Sequence, residues 1–266
     1  MKAIILAAGR GSRLKPYTKE SPKCLTELGG MTLIERQLQT LRNQGIDDII
    51  IITGYKSDQL KLPETRQIHN TSWANTNMVE SLFCAEAEFG KDIIVCYSDI
   101  IYEPNVLSSL LMSTEDISVV VDRKWRAYWE YRFDNPLCDA ESLKINSTGH
   151  ITDIGAPTED INSIEAQYIG LMRFQKKGIS AIKNARSNFH KQLRPWMTQH
   201  PIKKAYMTDL LMEVILMGYH VKAVPIENGW LEVDTVSDYE TLARDFKTGK
   251  IINFFNLYIF TSTFCV

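Results

Sequence analysis

The residues most able to do chemistry lie near the N-terminus, where an apolar segment runs into a small-residue turn that carries cations. Residues 3–6 predict a buried strand, and Gly9 and Gly11 follow it. Small residues let a backbone approach a nucleotide closely, and turn amides can point at phosphate oxygens. Arg13 and Lys23 add positive charge that the turn itself lacks. This pattern predicts a triphosphate-binding loop at the carboxyl end of the first strand.

Two other phosphate-binding patterns are excluded by their spacing. A dinucleotide fingerprint would need a third glycine where Leu14 stands. A P-loop would need Gly-Lys-Ser/Thr after a run of four residues, and the chain has none. Gly9 and Gly11 alone would also suit an ordinary turn between a strand and a helix. The prediction therefore depends on the longer string around them.

That longer string extends through the first 25 residues. Its positions are Leu6, Gly9, Gly11, Arg13, Leu14, Pro16, Thr18, Pro22, Lys23 and Leu25. They resemble the signature Leu-x-x-Gly-x-Gly-x-Arg-Leu-x-Pro-x-Thr, then Pro-Lys-x-Leu, of the nucleotidyltransferases that make nucleotide-sugars and activated alcohol phosphates. The resemblance implies that a phosphate or phosphonate oxygen attacks the α-phosphorus of a nucleoside triphosphate and releases pyrophosphate. The expected catalytic cations are Arg13 and Lys23. The planar guanidinium of Arg13 can bind two phosphate oxygens at once, and the ammonium of Lys23 is a point charge suited to the phosphorus under attack.

Two aspartates have the setting expected of metal ligands. Asp99 follows the apolar run 93–97, and Asp234 follows the short apolar segment 230–233. The resembling family has metal-binding aspartates in both contexts, which implies Mg²⁺ at Asp99 and Asp234. Magnesium prefers a few carboxylates together with phosphate oxygens. Glu232 is an alternative ligand, and any lone Asp after a strand can also be a turn or cap residue.

The nucleotide is expected to lie along the first loop and beside two later segments. The residues expected to bind it are Leu6, Ala7, Ala8, Gly9, Gly11, Ser12, Arg13, Tyr55, Thr76, Asn77 and Ser98. In relatives the stretch before the third helix touches the base or ribose, although Thr76 or Asn77 would serve equally well as a helix cap. These residues do not distinguish cytosine from uracil or thymine.

A looser resemblance concerns the acceptor. The segment from Asn70 to Leu82, together with Glu232 and Asp238, looks most like the cytidylyltransferases acting on phosphocholine and on phosphonates. It implies CTP as donor and a small phosphate or phosphonate as acceptor, of the phosphocholine, aminoethylphosphonate or phosphonoformate type. The residues expected to bind the acceptor are Trp129, Arg132, Glu165, Tyr168 and Glu232.

The chemistry of the middle segment leaves the acceptor open. Its aromatic residues would hold a quaternary ammonium group, or would only pack in a core or lid. Arg123, Lys124, Arg126 and Arg132 would instead suit an acceptor with extra negative charge. Asp139 and Glu141 would pair with an amine or with those arginines. The alternatives are a sugar-1-phosphate acceptor, giving a nucleotide-sugar, and a non-catalytic nucleotide sensor.

The order of elements predicts an α/β fold: a Rossmann-like three-layer sandwich with a mostly parallel sheet. Residues 123–175 are expected to form a small antiparallel excursion over the active site, beginning with the aromatic segment 125–133. A helix is expected over 77–89 and another over 236–246, capped by Thr235 or Ser237. Residues 1–246 would form one nucleotidyltransferase domain, and 247–266 an apolar tail.

Composition limits the class of protein. The net charge of −2 argues against a general nucleic-acid binder. Five cysteines without CxxC spacing point to a reducing cytoplasm. The apolar tail is shorter than the roughly 20 residues that a spanning helix needs, so no membrane partner is expected. We expect the tail to dock on the body or on a second subunit, which would make a homodimer.

Overall fold

The computed structural model describes residues 1–192 and 198–256, in which strands and helices alternate. The strands are β1 Lys2–Ala7, β2 Glu27–Leu28, β3 Met31–Thr32, β4 Ile49–Thr53, β5 Arg66–His69, β6 Asp92–Tyr97, β7 Ile100–Tyr102, β8 Ile117–Asp122, β9 Glu141–Ile145, β10 Ile151–Pro157, β11 Gln167–Gln175, β12 Lys222–Ile226 and β13 Trp230–Glu232. The helices are α1 Leu33–Asn43, α2 Met78–Phe83, α3 Pro104–Met112, α4 Trp125–Arg132, α5 Lys176–Gln192, α6 Met207–Leu216 and α7 Val236–Thr248.

The central sheet of the described chain has seven strands in the order β12-β8-β11-β6-β1-β4-β5. All of its neighbouring pairs are parallel except those of β11, which runs antiparallel to β6 and to β8. Three small two-stranded sheets, β10-β9, β13-β7 and β2-β3, lie outside it. The predicted α/β class, with a mostly parallel Rossmann-like sheet, is confirmed.

The sheet is buried on both faces because its strands are apolar throughout. Successive side chains of a strand point to opposite faces. On β1, Ala3 and Ile5 belong to a core shared with α1, α3, α4 and α7, while Ile4 and Leu6 belong to a second core shared with α2, α5 and α6. The helices therefore cover both faces, and the carboxyl ends of the parallel strands stay open for a site.

Helix α1 shows how local sequence sets the ends of an element. Thr32 caps its N-terminus, and Thr32 and Glu35 exchange the two hydrogen bonds of a capping box. Gly45, with φ of 74°, follows the last turn, and its amide donates to the carbonyl oxygen of Arg42 at 2.8 Å. Gly45 thus ends the helix, because glycine adopts a left-handed conformation at little cost.

The middle segment differs from its prediction at its start. Residues 125–133 were expected to begin the antiparallel excursion, but they form helix α4; strands β9 and β10 then pair antiparallel. Four residues of this segment are buried. Counted from Trp125, the other three follow after three, four and seven residues: Tyr128, Trp129 and Arg132. That helical period outweighs the strand preference of aromatic residues. Helix α2 is also shorter than predicted: it ends at Phe83, and Glu86–Glu88 forms a separate 3₁₀ turn.

The C-terminal part of the described chain continues the main body. Helix α7 begins after Thr235, whose side chain caps it as predicted. Beyond Gly249, Ile251 and Phe255 are buried in the core. The division of the chain at residue 246 stays a prediction, and residues 257–266 of the expected tail lie outside the described residues. No helix within 1–192 or 198–256 is long and apolar enough to cross a membrane.

Candidate active site

The loop after β1 is folded around Gly11. Gly11 adopts a left-handed conformation with φ of 62°, and its carbonyl oxygen accepts a hydrogen bond from Thr18 Oγ1 at 2.7 Å. A Cβ atom at Gly11 would lie 2.9 Å from Cβ of Lys23, closer than such atoms approach. Glycine is needed here both for the backbone conformation and for the contact with Lys23. The loop and the Lys23 side chain therefore pack as one unit.

Lys23 is buried between two carboxylates from distant parts of the chain. Its Nζ lies 2.7 Å from Oδ2 of Asp99 and 2.5 Å from Oδ1 of Asp234. Burial of the ammonium group opposes its charge, but these two carboxylates outweigh burial and raise the pKa of Lys23. Burial acts to raise the pKa of Asp234, and Lys23 and Arg13 reverse the effect and lower it. Lys23 and Asp234 therefore face each other as an ammonium and a carboxylate at neutral pH.

Arg13 completes the cluster from the solvent side. Its guanidinium pairs with Oδ2 of Asp234 and lies 3.8 Å from Oδ1 of Asp139. Its side chain remains 65% exposed, in contrast to 9% for Lys23. Arg13 can therefore bind an incoming anion, while Lys23 lies at the bottom of the site.

The backbone around Asp99 is held by hydrogen bonds from two other parts of the chain. It lies in the turn between β6 and β7, whose flanking carbonyls of Tyr97 and Ile100 accept hydrogen bonds from Gln37 Nε2 at 2.9 and 2.7 Å. The amide of Val233 donates to the carbonyl of Asp99 at 2.9 Å. Within the described chain, Oδ1 of Asp99 is buried without a hydrogen-bond partner. One oxygen of this carboxylate thus binds Lys23, and the other is available to a ligand.

A cavity of about 240 Å³ opens above this cluster. Its walls are Leu6, Ala8, Gly9, Gly11, Ser12, Arg13, Lys23, Trp73, Thr76, Asn77, Met78, Ser81, Tyr97, Ser98, Asp99 and Asp234. Nine of the eleven residues expected to bind the nucleotide are among them, and so are both expected metal ligands. Met78 and Tyr97 were not expected; Tyr97 directly precedes the Ser98-Asp99 turn, a position that could have identified it.

Two residues expected to bind the nucleotide lie elsewhere. Ala7 belongs to the core on the opposite face of the sheet, because side chains alternate along β1. Tyr55 is buried, and its hydroxyl donates to the carbonyl of Lys19 at 2.6 Å while its amide donates to that of Ala8 at 3.0 Å. Tyr55 therefore supports the loop from behind.

A second cavity of about 150 Å³ adjoins the first, and Arg13, Met78, Tyr97 and Asp99 line both. Its other walls are Trp129, Asp139, Glu141, Gln167, Tyr168, Tyr206, Thr208 and Glu232. Trp129, Tyr168 and Glu232 were expected at an acceptor site and lie here. Gln167, Tyr206 and Thr208 were not expected, because they reach the cavity from β11 and from the start of α6 and no local motif marks them.

Two residues expected to bind the acceptor do not line this cavity. Arg132 lies beneath it, and its guanidinium is paired with Glu232 and Asp238. Glu165 is exposed, and its Oε2 accepts a hydrogen bond from the amide of Ile145 at 2.9 Å. Both side chains are held by other parts of the protein, which sequence spacing does not reveal.

The pattern of the MobA-like NTP transferase domain matches residues 3–200, about three quarters of the chain. The chain belongs to this family. It is 37% identical over 253 residues, 90% of the chain and 98% of the relative, to the CTP:phosphoglutamine cytidylyltransferase of Campylobacter jejuni. It is also 37% identical over 180 residues, 63% of the chain and 77% of the relative, to the choline-phosphate cytidylyltransferase of Streptococcus pneumoniae.

Solved structures share the fold of this nucleotidyltransferase. The CTP:phosphocholine cytidylyltransferase from Streptococcus pneumoniae superposes with a TM-score of 0.69 at 24% identity, covering 91% of this chain and 97% of that one. The inositol-1-phosphate CTP transferase from T. maritima gives a TM-score of 0.68 at 19% identity, covering 91% and 95%. The match to the family pattern and the 37% identical relatives confirm the nucleotidyltransferase resemblance inferred from the N-terminal signature.

The second cavity of this nucleotidyltransferase is acidic and aromatic. Asp139 pairs with Arg13 and Glu232 pairs with Arg132, but the Glu141 side chain has no ion pair or hydrogen bond within the described chain. Burial, with Asp139 and Asp209 nearby, raises the pKa of Glu141 to about 7. Arg123, Lys124 and Arg126 do not line the cavity.

Gly11→Ala tests the packing of the loop on Lys23. We expect it to displace the Lys23 side chain and to lower kcat on the order of 10- to 100-fold, as small misplacements at reacting centres do. Gly90→Ala is the matched control, because Gly90 has a φ of 59° and nothing nearer than 3.8 Å to an added Cβ. Gly90→Ala should lose about 1–2 kcal/mol of stability in urea unfolding from its backbone conformation alone, and Gly11→Ala should lose more, because its Cβ also meets Lys23. Equal kcat in the two variants would contradict the role of this contact.

Proposed function

We propose that this nucleotidyltransferase is a cytidylyltransferase. It would transfer CMP from CTP to a small phosphate or phosphonate that carries an ammonium group, with release of pyrophosphate. The observation that carries the proposal is the buried Lys23 cluster between a loop-lined cavity and an acidic, aromatic one. The cytidylyltransferase relatives at 37% identity support CTP as the donor.

The proposed reaction needs no nucleophile from the protein. An anionic oxygen of the acceptor attacks the α-phosphorus of CTP, a new P–O bond forms, and the bond to the β-phosphate oxygen breaks as pyrophosphate leaves. Such transfers depend on charge neutralisation and in-line positioning. Lys23, at the bottom of the first cavity, would neutralise the α-phosphate, and the more exposed Arg13, which lines both cavities, would bind the leaving phosphates with its fork.

Asp99 and Asp234 suit a magnesium ion. Magnesium is usually held by one or two carboxylates together with substrate phosphates. The unpartnered Oδ1 of Asp99 is an oxygen of the required type, and Asp234 lies across Lys23 from it. When bound, Mg²⁺ would neutralise triphosphate charge and orient the phosphates. Lys23 and Arg13 lower the pKa of Asp234, which favours the ionised form that binds a cation.

The acceptor class follows from the charge of the second cavity. Arg132 is neutralised by Glu232 and Asp238, and the neighbouring basic residues lie outside the cavity. Little positive charge besides Arg13 is therefore available for an acceptor that carries a carboxylate as well as a phosphonate. Glu141 offers an unpaired carboxylate, and Trp129 and Tyr168 offer aromatic surface. Carboxylates and aromatic faces both attract ammonium groups. We therefore favour a phosphocholine or aminoethylphosphonate type of acceptor over phosphonoformate.

The experiment that tests the proposed function is pyrophosphate release with Mg²⁺. CTP, UTP, dTTP, ATP and GTP would each be combined with phosphocholine, aminoethylphosphonate, phosphonoformate and glucose-1-phosphate. We expect release with CTP and an ammonium-bearing acceptor. Release confined to glucose-1-phosphate would move the enzyme to nucleotide-sugar synthesis, and release with phosphonoformate alone would contradict the proposed acceptor class.

Glu141→Gln tests the ammonium site through its pH dependence. Because the pKa of Glu141 is about 7, its carboxylate ionises as pH rises through 7, and KM for phosphocholine should fall over that range. In Glu141→Gln this dependence should be lost, and KM at pH 8 should be about 10-fold higher, because the coulombic attraction between the carboxylate and the quaternary ammonium group is lost. The phosphate titrates equally in both proteins, so their difference isolates Glu141.

The same substitution should raise thermal stability. A carboxyl whose pKa is raised by folding favours the fold most below its unfolded pKa of about 4.3 and loses that contribution as pH rises through its folded pKa of about 7. Glu141→Gln should therefore have a higher Tm than the wild type at pH 8. Glu165→Gln, exposed and outside the cavity, is the control. An unchanged KM and pH profile in Glu141→Gln would contradict the site.

A further inference from the structure

Arg132 lies outside the acceptor cavity and forms a buried bridge beneath it. Its side chain is only 1% exposed. Nη1 lies 2.7 Å from Oε2 of Glu232, and Nε and Nη2 donate to the two carboxylate oxygens of Asp238 at 3.1 and 3.3 Å. One guanidinium thus joins two carboxylates that flank Asp234 on either side along the chain.

Asp238 passes this constraint to Asp234. Its Oδ2 accepts hydrogen bonds from the amide of Asp234 at 3.2 Å and from the amide of Thr235 at 2.8 Å. These bonds cap the start of α7 and fix the backbone from which the Asp234 carboxylate extends toward Lys23. The path from Arg132 to the Asp234 backbone therefore consists of two hydrogen-bonded steps.

Helix α4 is built to hold that guanidinium. The rings of Tyr128, Trp129 and Phe133 lie 5.4, 5.3 and 4.8 Å from its central carbon. The hydroxyl oxygen of Tyr128 also accepts a hydrogen bond from the amide of Glu232 at 2.9 Å. Aromatic packing excludes water from the ion pairs and strengthens them. Both sides of the β13–α7 junction are thus attached to one face of α4.

We propose that Arg132 is a positioning residue, which holds the β13–α7 junction so that Asp234 presents its carboxylate to Lys23 and to a divalent cation, while Glu232 stays on the wall of the second cavity. The proposal rests on the proposed function of the site. The proposal gives helix α4 a role in the phosphate-binding part of the site, although the helix contributes no atom to the loop after β1. Partners of this kind commonly change metal affinity or activity by about 10- to 100-fold when they are replaced.

Arg132→Lys is the test, because it keeps the charge but loses the fork that spans Glu232 and Asp238. We expect kcat to fall about 10- to 100-fold with KM for CTP little changed, and Mn²⁺ affinity, followed by EPR with and without CTP, to fall by a similar factor. Asp238→Asn is a second variant: its amide oxygen can still cap α7, but its charge for Arg132 is gone, and we expect the same losses.

Arg173→Lys is the matched control. Arg173 is likewise buried, at 9% exposure, and forks onto Asp92 at 3.0 and 2.9 Å. Asp92 begins β6, at the end of the strand opposite to Asp99. This variant should lose thermal stability while kcat and Mn²⁺ affinity stay at wild-type values.

Three results would separate the possibilities. Wild-type Mn²⁺ affinity and kcat in folded Arg132→Lys and Asp238→Asn would overturn the positioning role. Losses in Arg173→Lys equal to those in Arg132→Lys would also overturn it, because they would reflect stability alone. If the wild type releases no pyrophosphate with any acceptor, the proposed function fails, and the Mn²⁺ affinities of Arg132→Lys and Arg173→Lys still decide whether Arg132 positions Asp234.

Discussion

The burial of one ammonium group between two carboxylates constrains the whole arrangement. Lys23 reaches Asp99, 76 residues away, and Asp234, 211 residues away. Removing one partner from a buried ion pair leaves an uncompensated charge and typically costs about 3–5 kcal/mol. The glycine loop, the β6–β7 turn and the β13–α7 junction must therefore all be in place together. The site is complete only when nearly the whole described chain is folded.

Sheet topology explains how these distant segments meet. Strands β1 and β6 are parallel neighbours with Leu6 opposite Tyr97, so the loop after β1 and the turn after β6 leave the sheet side by side. Strand β13 then pairs with β7, and the amide of Val233 bonds to the carbonyl of Asp99. Asp234 is thereby brought to the same edge. The charged cluster is thus a consequence of strand order, and no long flexible segment is needed to bring its members together.

Local patterns in the sequence were sufficient for the parallel core and for the loop. The apolar runs 3–6 and 93–97 and the order of elements predicted the sheet. The N-terminal string, with the resemblance that it carries, singled out Lys23, Asp99 and Asp234, which the structure brings together. The middle of the chain was predicted less well. The spacing of the buried residues of α4 indicates a helix, but the strand preference of its aromatic residues obscured that signal. Arg132 and Glu165, in contrast, have partners distant in sequence. Those partners depend on tertiary packing, which residue spacing does not encode.

The central claim is that the charge of Lys23, held by Asp99 and Asp234, acts on the α-phosphate during transfer. The most direct measurement compares the single-turnover rate of CMP transfer with the Kd for CTP in Lys23→Gln, with folding verified by thermal unfolding. The account predicts a rate lower by about 100- to 1,000-fold, as for loss of one preorganised charge-stabilising donor, with a much smaller change in Kd. A wild-type rate in folded Lys23→Gln would contradict it.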